Sequence, residues 1–207
     1  MRVNAVVGIV DYQSGNTQSI ANAIDHLGAA MRRVATPEHL DGVSHLILPG
    51  VGAFGFCAER LRASGLLQAL EQWSLVDCRP MLGICVGMQL LADSSDELGP
   101  QRGLGWGGGR VSRLPQSAGE TRVPHVGWNT VTFEDECGEF RRGESADFYF
   151  DHSYAYHAPT RASTVATCTH GAPFCAVIRR DNLLAAQFHP EKSQTAGMRF
   201  LRGFLST

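Results

Sequence analysis

The stretch Pro80-Met81-Leu82-Gly83-Ile84-Cys85-Val86-Gly87-Met88-Gln89-Leu90-Leu91 constrains this chain more than any other. An apolar run reaches a cysteine set between two glycines and passes into a helical apolar pattern. Gly83-Ile84-Cys85-Val86-Gly87 has the Gly-x-Cys-x-Gly spacing of a nucleophile elbow, where the reactive side chain stands on a sharp strand-to-helix turn. A cysteine there faces unpaired N–H groups and the positive end of a helix dipole, both of which favour thiolate. The N–H of Val86, next after it, is placed to form half of an oxyanion hole. The same residues also suit a buried structural cysteine in a core strand, since free cysteine is often buried.

A thiol nucleophile needs a base. Leu183-Leu184-Ala185-Ala186-Gln187-Phe188-His189-Pro190-Glu191-Lys192-Ser193 reads as a strand ending at His189. Residues two apart in an extended segment share a side, and Pro190 keeps His189 out of the helical region. Glu191 is therefore expected to meet one ring nitrogen while the other faces the thiol, the order of a catalytic triad. The alternative is a capped loop, with His189 solvated and Glu191 opening the last helix.

The rest of the chain supplies the scaffold. Val3 to Val10 reads as a buried strand, followed by a turn and a helix from Asn16 or Thr17 to about Leu27, stopped at Gly28. Ala30–Val34 and His45–Leu48 read as further strands around a short helical turn at Thr36–Leu40. Helical segments are expected around Phe56–Leu61 and Leu66–Leu75, a Gly-rich acidic loop over Asp93–Gly109, and short alternating strands from Val111 onward. This rhythm predicts an α/β fold: a single domain over 1–207 with a mostly parallel central sheet flanked by helices and an antiparallel section added in the second half. Gly50-Val51-Gly52-Ala53-Phe54-Gly55 matches G-x-G-x-x-G. It follows the third strand rather than the first, and the acids near Glu71 lie in a helical pattern, so a dinucleotide site is not the expectation.

Composition narrows the function classes. A net charge of −2 in 207 residues gives no sign of nucleic-acid or membrane binding, and six cysteines show no metal-ligand spacing. No signal peptide or bilayer-length apolar run is evident, which leads to the expectation of a reduced, cytoplasmic protein without metal or cofactor.

Together, Gly83-Ile84-Cys85-Val86-Gly87-Met88-Gln89 and Gln187-Phe188-His189-Pro190-Glu191-Lys192-Ser193 resemble the signatures of the class I (triad) glutamine amidotransferases. Asp11-Tyr12-x-x-Gly15-Asn16, Gly50-Val51-Gly52-Ala53-Phe54, Pro124-His125-x-Gly127-Trp128-Asn129 and Phe148-Tyr149-Phe150-Asp151-His152-Ser153-Tyr154 are similar to the histidine-biosynthesis branch of that family. The resemblance spans essentially the whole chain. It implies hydrolysis of glutamine by Cys85, His189 and Glu191. It also implies ammonia channelled to a separate (β/α)8 cyclase subunit that makes imidazole glycerol phosphate and an aminoimidazole carboxamide ribotide.

By the same resemblance, Pro49-Gly50-Val51-Gly52 forms an oxyanion strand completing the hole begun by Val86. Gln89 and the backbone of Ser153 and Tyr154 hold glutamine, and Asn16, Trp128 and Lys192 face the partner. Each also has a plain reading: Asn16 as helix cap, Trp128 as core, Lys192 as a solvated cation, Gln89 as helix surface, Gly50–Gly52 as an ordinary loop. His125 and His152 are taken as structural. The chain departs from the family pattern at Gln13, where glycine is usual, at Thr17 and Gln18 in place of Leu-Arg, and at Asp151, where an apolar residue is usual. Rival readings are a sister amidotransferase, such as one serving surface-sugar amidation, and a stand-alone cysteine peptidase or γ-glutamyl hydrolase.

Overall fold

A computed structural model describes residues 5–116, 121–160 and 163–207. The expected start of the first strand at Val3 lies outside them. Strand β1 is Val6–Val10, helix α1 Thr17–His26, β2 Ala30–Val34 and β3 His45–Leu48. Asn16 caps α1, its side chain accepting from the Ser19 N–H at 3.3 Å, and Gly28 ends it with φ +75°. Pro37–Leu40 forms a 3-10 turn. Helix α2 runs Phe54–Ala63, slightly longer at both ends than the spacing suggests. The expected helix over Leu66–Leu75 is instead a five-residue α3, Leu67–Glu71, running into a π-helical turn at Gln72–Val76.

Strand β4, Met81–Ile84, leads to α4, Val86–Gln89. The Asp93–Gly109 loop carries two tiny strands, β5 Ser94–Ser95 and β6 Gln101–Arg102. Strand β7, Arg110–Arg113, comes next. The later strands are longer than expected: β8 His125–Phe133, β9 Ser145–His152, β10 Tyr154–His157, β11 Thr164–His170 and β12 Ala172–Arg180. The chain closes with β13, Leu183–Ala186, and α5, Gln194–Phe204.

Among the described residues, nine strands form one sheet in the order β2-β1-β3-β4-β13-β12-β11-β8-β9. The first five run parallel, and the remaining pairings are antiparallel. The antiparallel section thus extends the central sheet rather than standing apart from it. Strands β3, β4 and β13 are buried at every position, as expected of parallel strands covered on both faces. By contrast, β8 alternates between buried and more exposed residues, with Val126 and Trp128 turned outward. A second sheet has the order β10-β7-β5-β6. Ser153 is the single residue between β9 and β10, where the chain steps from one sheet to the other.

The topology makes one place special. β3, β4 and β13 are adjacent and parallel, with Leu48 opposite Gly83 and Ala186 opposite Ile84. Their carboxyl ends release, side by side, the Gly50–Gly52 loop, the Cys85 elbow and the His189 turn. That crevice is where open α/β sheets place their ligands.

Candidate active site

Cys85 sits at φ +55° and ψ −113°, a conformation L side chains rarely adopt. Packing requires glycine both at the elbow and on the loop facing it. A Cβ on Gly87 would stand 1.9 Å from the Leu48 carbonyl oxygen, and one on Gly50 would stand 2.8 Å from the Gly87 nitrogen. The elbow therefore lies directly on the loop after β3. The strand behind it is pinned by the Cys85 N–H donating to the Ala186 carbonyl at 2.8 Å. Helix α4 has only four residues, too short for a macrodipole of any size. Its first, intrahelically unpaired N–H groups are what Cys85 faces.

His189 is 3% exposed, and its Nδ1 meets Glu191 Oε1 at 2.8 Å. The route to this contact differs from the expected extended alternation. His189 is extended, at φ −98° and ψ 95°, but Pro190–Lys192 is a 3-10 turn that folds Glu191 back beneath the ring. The capped-loop alternative does not hold: His189 is buried and α5 begins only at Gln194. Glu191 Oε2 is buried without a hydrogen-bond donor among the described residues. The carboxylate's charge is thus directed at the imidazole. Burial pulls the His189 pKa down, but hydrogen bonds with Cys85 and Glu191 and their charges outweigh it and carry it up to about 10. Ser193 fixes the turn: its hydroxyl donates to the His189 carbonyl at 2.6 Å and accepts from the Tyr149 N–H at 3.0 Å. Ser193 closes the family signature in the sequence, but this role is not read from it, because its partners are 4 and 44 residues away.

A cavity of about 250 Å³ joins these groups. It is lined by Val51, Gly52, Cys85, Val86, Gln89, Glu97, Asp151, His152, Ser153, Tyr154, His189 and Lys192, with Pro124 at its edge. Gln89 is 2% exposed and so is not a helix-surface residue. Its Nε2 donates to the Tyr154 carbonyl at 2.9 Å and to Gln187 Oε1 at 3.1 Å. The Ser153 carbonyl accepts from the Leu114 N–H at 2.9 Å. Glu97 is a wall residue that the sequence reading missed. It lies in an acidic loop with no distinguishing pattern, and its Oε2 is oriented by the Phe54 N–H at 2.7 Å.

The loop after β3 is held from behind. Tyr12 donates to the Pro49 carbonyl at 2.7 Å, while the Ser14 hydroxyl and Cys57 thiol reach the Val51 carbonyl at 3.1 and 3.3 Å. Burial raises the pKa values of both Tyr12 and Cys57, keeping them protonated donors. Gln13, where glycine is usual, does adopt a left-handed φ of +62°. Its Oε1 accepts from Arg60 Nη1 at 2.8 Å.

Two of the three residues expected at a partner surface, Trp128 and Lys192, share the Tyr149 ring. Trp128 is 49% exposed, which sets aside the core reading. Its ring meets Tyr149 edge-on at 6.2 Å, and Lys192 Nζ lies 5.4 Å from the same Tyr149 ring. Helix α1, capped by Asn16, contacts the Pro190–Lys192 turn. A larger open cleft of about 680 Å³ over β11 and β12 is lined by Cys175 and His157, but these bond elsewhere, to Thr164 and to Ser112, and form no nucleophile–base pair among the described residues. Among the described residues, no group of three or more His, Cys, Asp or Glu is arranged to hold a metal ion, and no helix is long and apolar enough to cross a membrane. All six cysteines are free thiols.

Comparison with known proteins agrees with this geometry. The family model for class-I glutamine amidotransferases matches residues 8–206. The Zymomonas mobilis imidazole glycerol phosphate synthase subunit HisH is 41% identical over 208 residues, covering 99% of this chain and 97% of that protein. The chloroplastic imidazole glycerol phosphate synthase hisHF of Arabidopsis thaliana is 43% identical over 98% of this chain, but the match occupies 34% of that longer protein. Among solved structures, PurLQS from Thermotoga maritima superposes with a TM-score of 0.76 at 18% identity, covering 98% of each chain, which speaks for the fold alone. On the family match and the HisH identities, the chain belongs to the class I glutamine amidotransferases, in the branch of imidazole glycerol phosphate synthase HisH subunits.

Proposed function

We propose that residues 1–207 act as one glutaminase unit, hydrolysing glutamine at Cys85 and passing the ammonia to a (β/α)8 cyclase subunit in histidine biosynthesis, in the cytoplasm. The observation that carries this reading is the delivery, by three adjacent parallel strands, of a strained cysteine, a buried His–Glu pair and a glycine loop to one cavity. The reaction so written uses no metal or cofactor.

The Cys85 thiolate attacks the side-chain carbonyl carbon of glutamine. The resulting oxyanion is received by the Val86 N–H and by an N–H of the Gly50–Gly52 loop. As the C–N bond breaks, His189 gives its proton to the leaving ammonia, and a γ-glutamyl thioester remains. Thioester formation removes the thiolate, and with it two of the influences that raise the His189 pKa. The imidazole can then take a proton from the water that hydrolyses the thioester. Glu191 orients the ring throughout. The carboxylate of Glu97 and the oxygen of Gln89 suit the α-ammonium of glutamine, and the N–H groups around Ser153 and Tyr154 suit its α-carboxylate.

Trp128, Lys192 and Asn16 are assigned to the partner surface. The HisH relatives are named as subunits, and the Arabidopsis relative carries about twice this chain's length beyond the match, which is consistent with a cyclase portion. The test is glutamate release from glutamine by the chain alone, with a histidine-pathway cyclase subunit, and with that subunit plus its ribotide ligand. Stimulation by the pair and ligand supports the reading. Full activity alone would point to a stand-alone hydrolase, and silence in all three arms to a different synthase partner.

A further inference from the structure

The mechanism leaves three buried polar side chains beside the cavity without a role: His125, His152 and Gln187, the last fully buried. They belong to one hydrogen-bonded chain whose direction is set by its fixed ends. His152 Nδ1 lies 2.8 Å from the Tyr154 carbonyl, which only accepts, so Nδ1 carries the proton and Nε2 is an acceptor. His125 Nδ1, 2.9 Å from that Nε2, must then be protonated as well. His125 Nε2 is left to accept from Asn129 Nδ2 at 3.0 Å. The Asn129 amide is oriented independently, its Nδ2 donating to the Thr169 carbonyl at 2.9 Å and its Oδ1 accepting from the Thr130 N–H at 2.8 Å.

Beyond the Tyr154 carbonyl the chain continues through the second donor on that oxygen, Gln89 Nε2. The other hydrogen of the same nitrogen goes to Gln187 Oε1. Gln187 Nε2 consequently faces the Cys85 sulfur, at 3.8 Å. Both hydrogens of Gln89 Nε2 are used, and among the described residues no protein donor reaches Gln89 Oε1. That oxygen is left for the cavity. Burial holds both histidines neutral, with pKa values lowered to about 3 and about 4, so the rings keep these roles at ordinary pH.

We propose that His125 and His152 are positioning residues. As neutral rings protonated on Nδ1, they hold the Tyr154 carbonyl, and through it the Gln89–Gln187 amide pair, so that Gln187 gives an N–H to the Cys85 sulfur and Gln89 gives its oxygen to the substrate. An amide flip at Gln89 would set two oxygens against each other at Tyr154 and turn the Gln187 oxygen toward the thiolate. The chain therefore has one favourable direction, and both ends of the cavity depend on it. The proposal deepens the glutaminase reading and rests on Cys85 being its nucleophile.

The test has two arms. Nitrogen-15 NMR of the histidine rings in the full wild-type chain should show His125 and His152 neutral, with the proton on Nδ1, from pH 6 to 8 (a range that begins roughly two units above the higher of the two lowered pKa values). In the second arm, alkylation of Cys85 by iodoacetamide is followed on its own peptide as a function of pH. Gln187→Leu and His152→Phe should each move the midpoint upward by about one pH unit, the worth of one hydrogen bond to a charged sulfur. His152→Asn, which restores a donor near the Nδ1 position, should stay near wild type. With the cyclase subunit present, His152→Phe should also raise the glutamine KM about tenfold, with a smaller change in kcat. An Nε2-protonated or doubly protonated ring in either histidine overturns the proposal, as does a wild-type alkylation profile in both His152→Phe and Gln187→Leu. Should His152→Phe fail to fold, the wild-type NMR, His152→Asn and Gln187→Leu decide. If the wild-type complex releases no glutamate, the glutaminase reading fails on its own, while the tautomers and the alkylation profile still judge the relay.

Discussion

Gly87→Ala tests how closely the elbow must lie on the glycine loop. The added Cβ would stand 1.9 Å from the Leu48 oxygen, 2.9 Å from the Leu48 carbonyl carbon and 3.2 Å from the Pro49 carbonyl carbon. Carbon and oxygen in ordinary contact stay about 3.3 Å or more apart, so the two backbones must separate by more than about 1 Å. None of the obstructing atoms is a flexible side-chain tip, so relief requires moving the end of β3 or α4. Overpacking of this kind costs roughly 1–3 kcal/mol, or about 2–4 °C of Tm per kcal/mol for a chain of this size. Function should suffer more than stability. The displaced backbone carries the two proposed halves of the oxyanion hole, Val86 and Gly50–Gly52, and a shift of about 1 Å at such a site lowers the rate by roughly 100-fold. The assay pairs urea unfolding with glutamate release in the presence of the cyclase subunit. Gly28→Ala serves as control: a φ of +75° makes alanine strained there, which is not so at the helical Gly87, but nothing lies within 4 Å of its Cβ. It should lose a comparable or smaller amount of stability and keep its kcat. Wild-type kcat in Gly87→Ala would refute the reasoning that the elbow and the loop form one rigid oxyanion site.

Three further outcomes follow from the same geometry. Cys85→Ala should leave unfolding unchanged to within about 1 kcal/mol and abolish glutamate release; residual activity near wild type removes Cys85 as nucleophile. Glu191→Gln should lower kcat by about 100-fold or more and move the alkaline limb of kcat/KM downward, since Glu191 helps to raise the His189 pKa. The sign for stability follows from linkage. Because the folded pKa of about 10 lies above the ordinary 6.5, His189 contributes stability that is full below pH 6.5 and lost as pH rises toward 10. The wild-type advantage over Glu191→Gln should therefore shrink across that window in urea titrations, and an advantage that grows with pH would contradict the pairing. Trp128→Ala should weaken binding of the cyclase subunit by about 30-fold, as removal of an exposed aromatic anchor does, with unchanged unfolding; equal affinity would move the docking face away from β8 and β9.

What the sequence made legible is what local sterics decide. The cap at Asn16, the stop at Gly28 and the run of strands to β4 all depend on a few neighbouring residues. So does the elbow, whose glycines are needed within four residues of Cys85. The illegible parts depend on distant partners. Glu97 has no local signature, and Gln187, though it opens the His189 signature, shows no role locally, because one is placed by the Phe54 N–H and the other by Gln89. The length of α4 is the clearest case. The apolar pattern through Leu91 suggests a longer helix, yet it ends at Gln89. The reason lies in the glycine-rich loop that reads as a mere turn. The carbonyls of Leu90, Leu91 and Ala92 accept N–H donors from Leu104, Gly107 and Gly105, so they are not available to further helical turns. That exchange needs close backbone approach: a Cβ on Gly103 would stand 2.0 Å from the Ala92 oxygen. A loop with a side chain at 103 could not come this close to those carbonyls. The glycines of that loop are therefore part of the site, because by ending the helix just after Gln89 they leave its side chain between Tyr154 and Gln187 at the cavity wall.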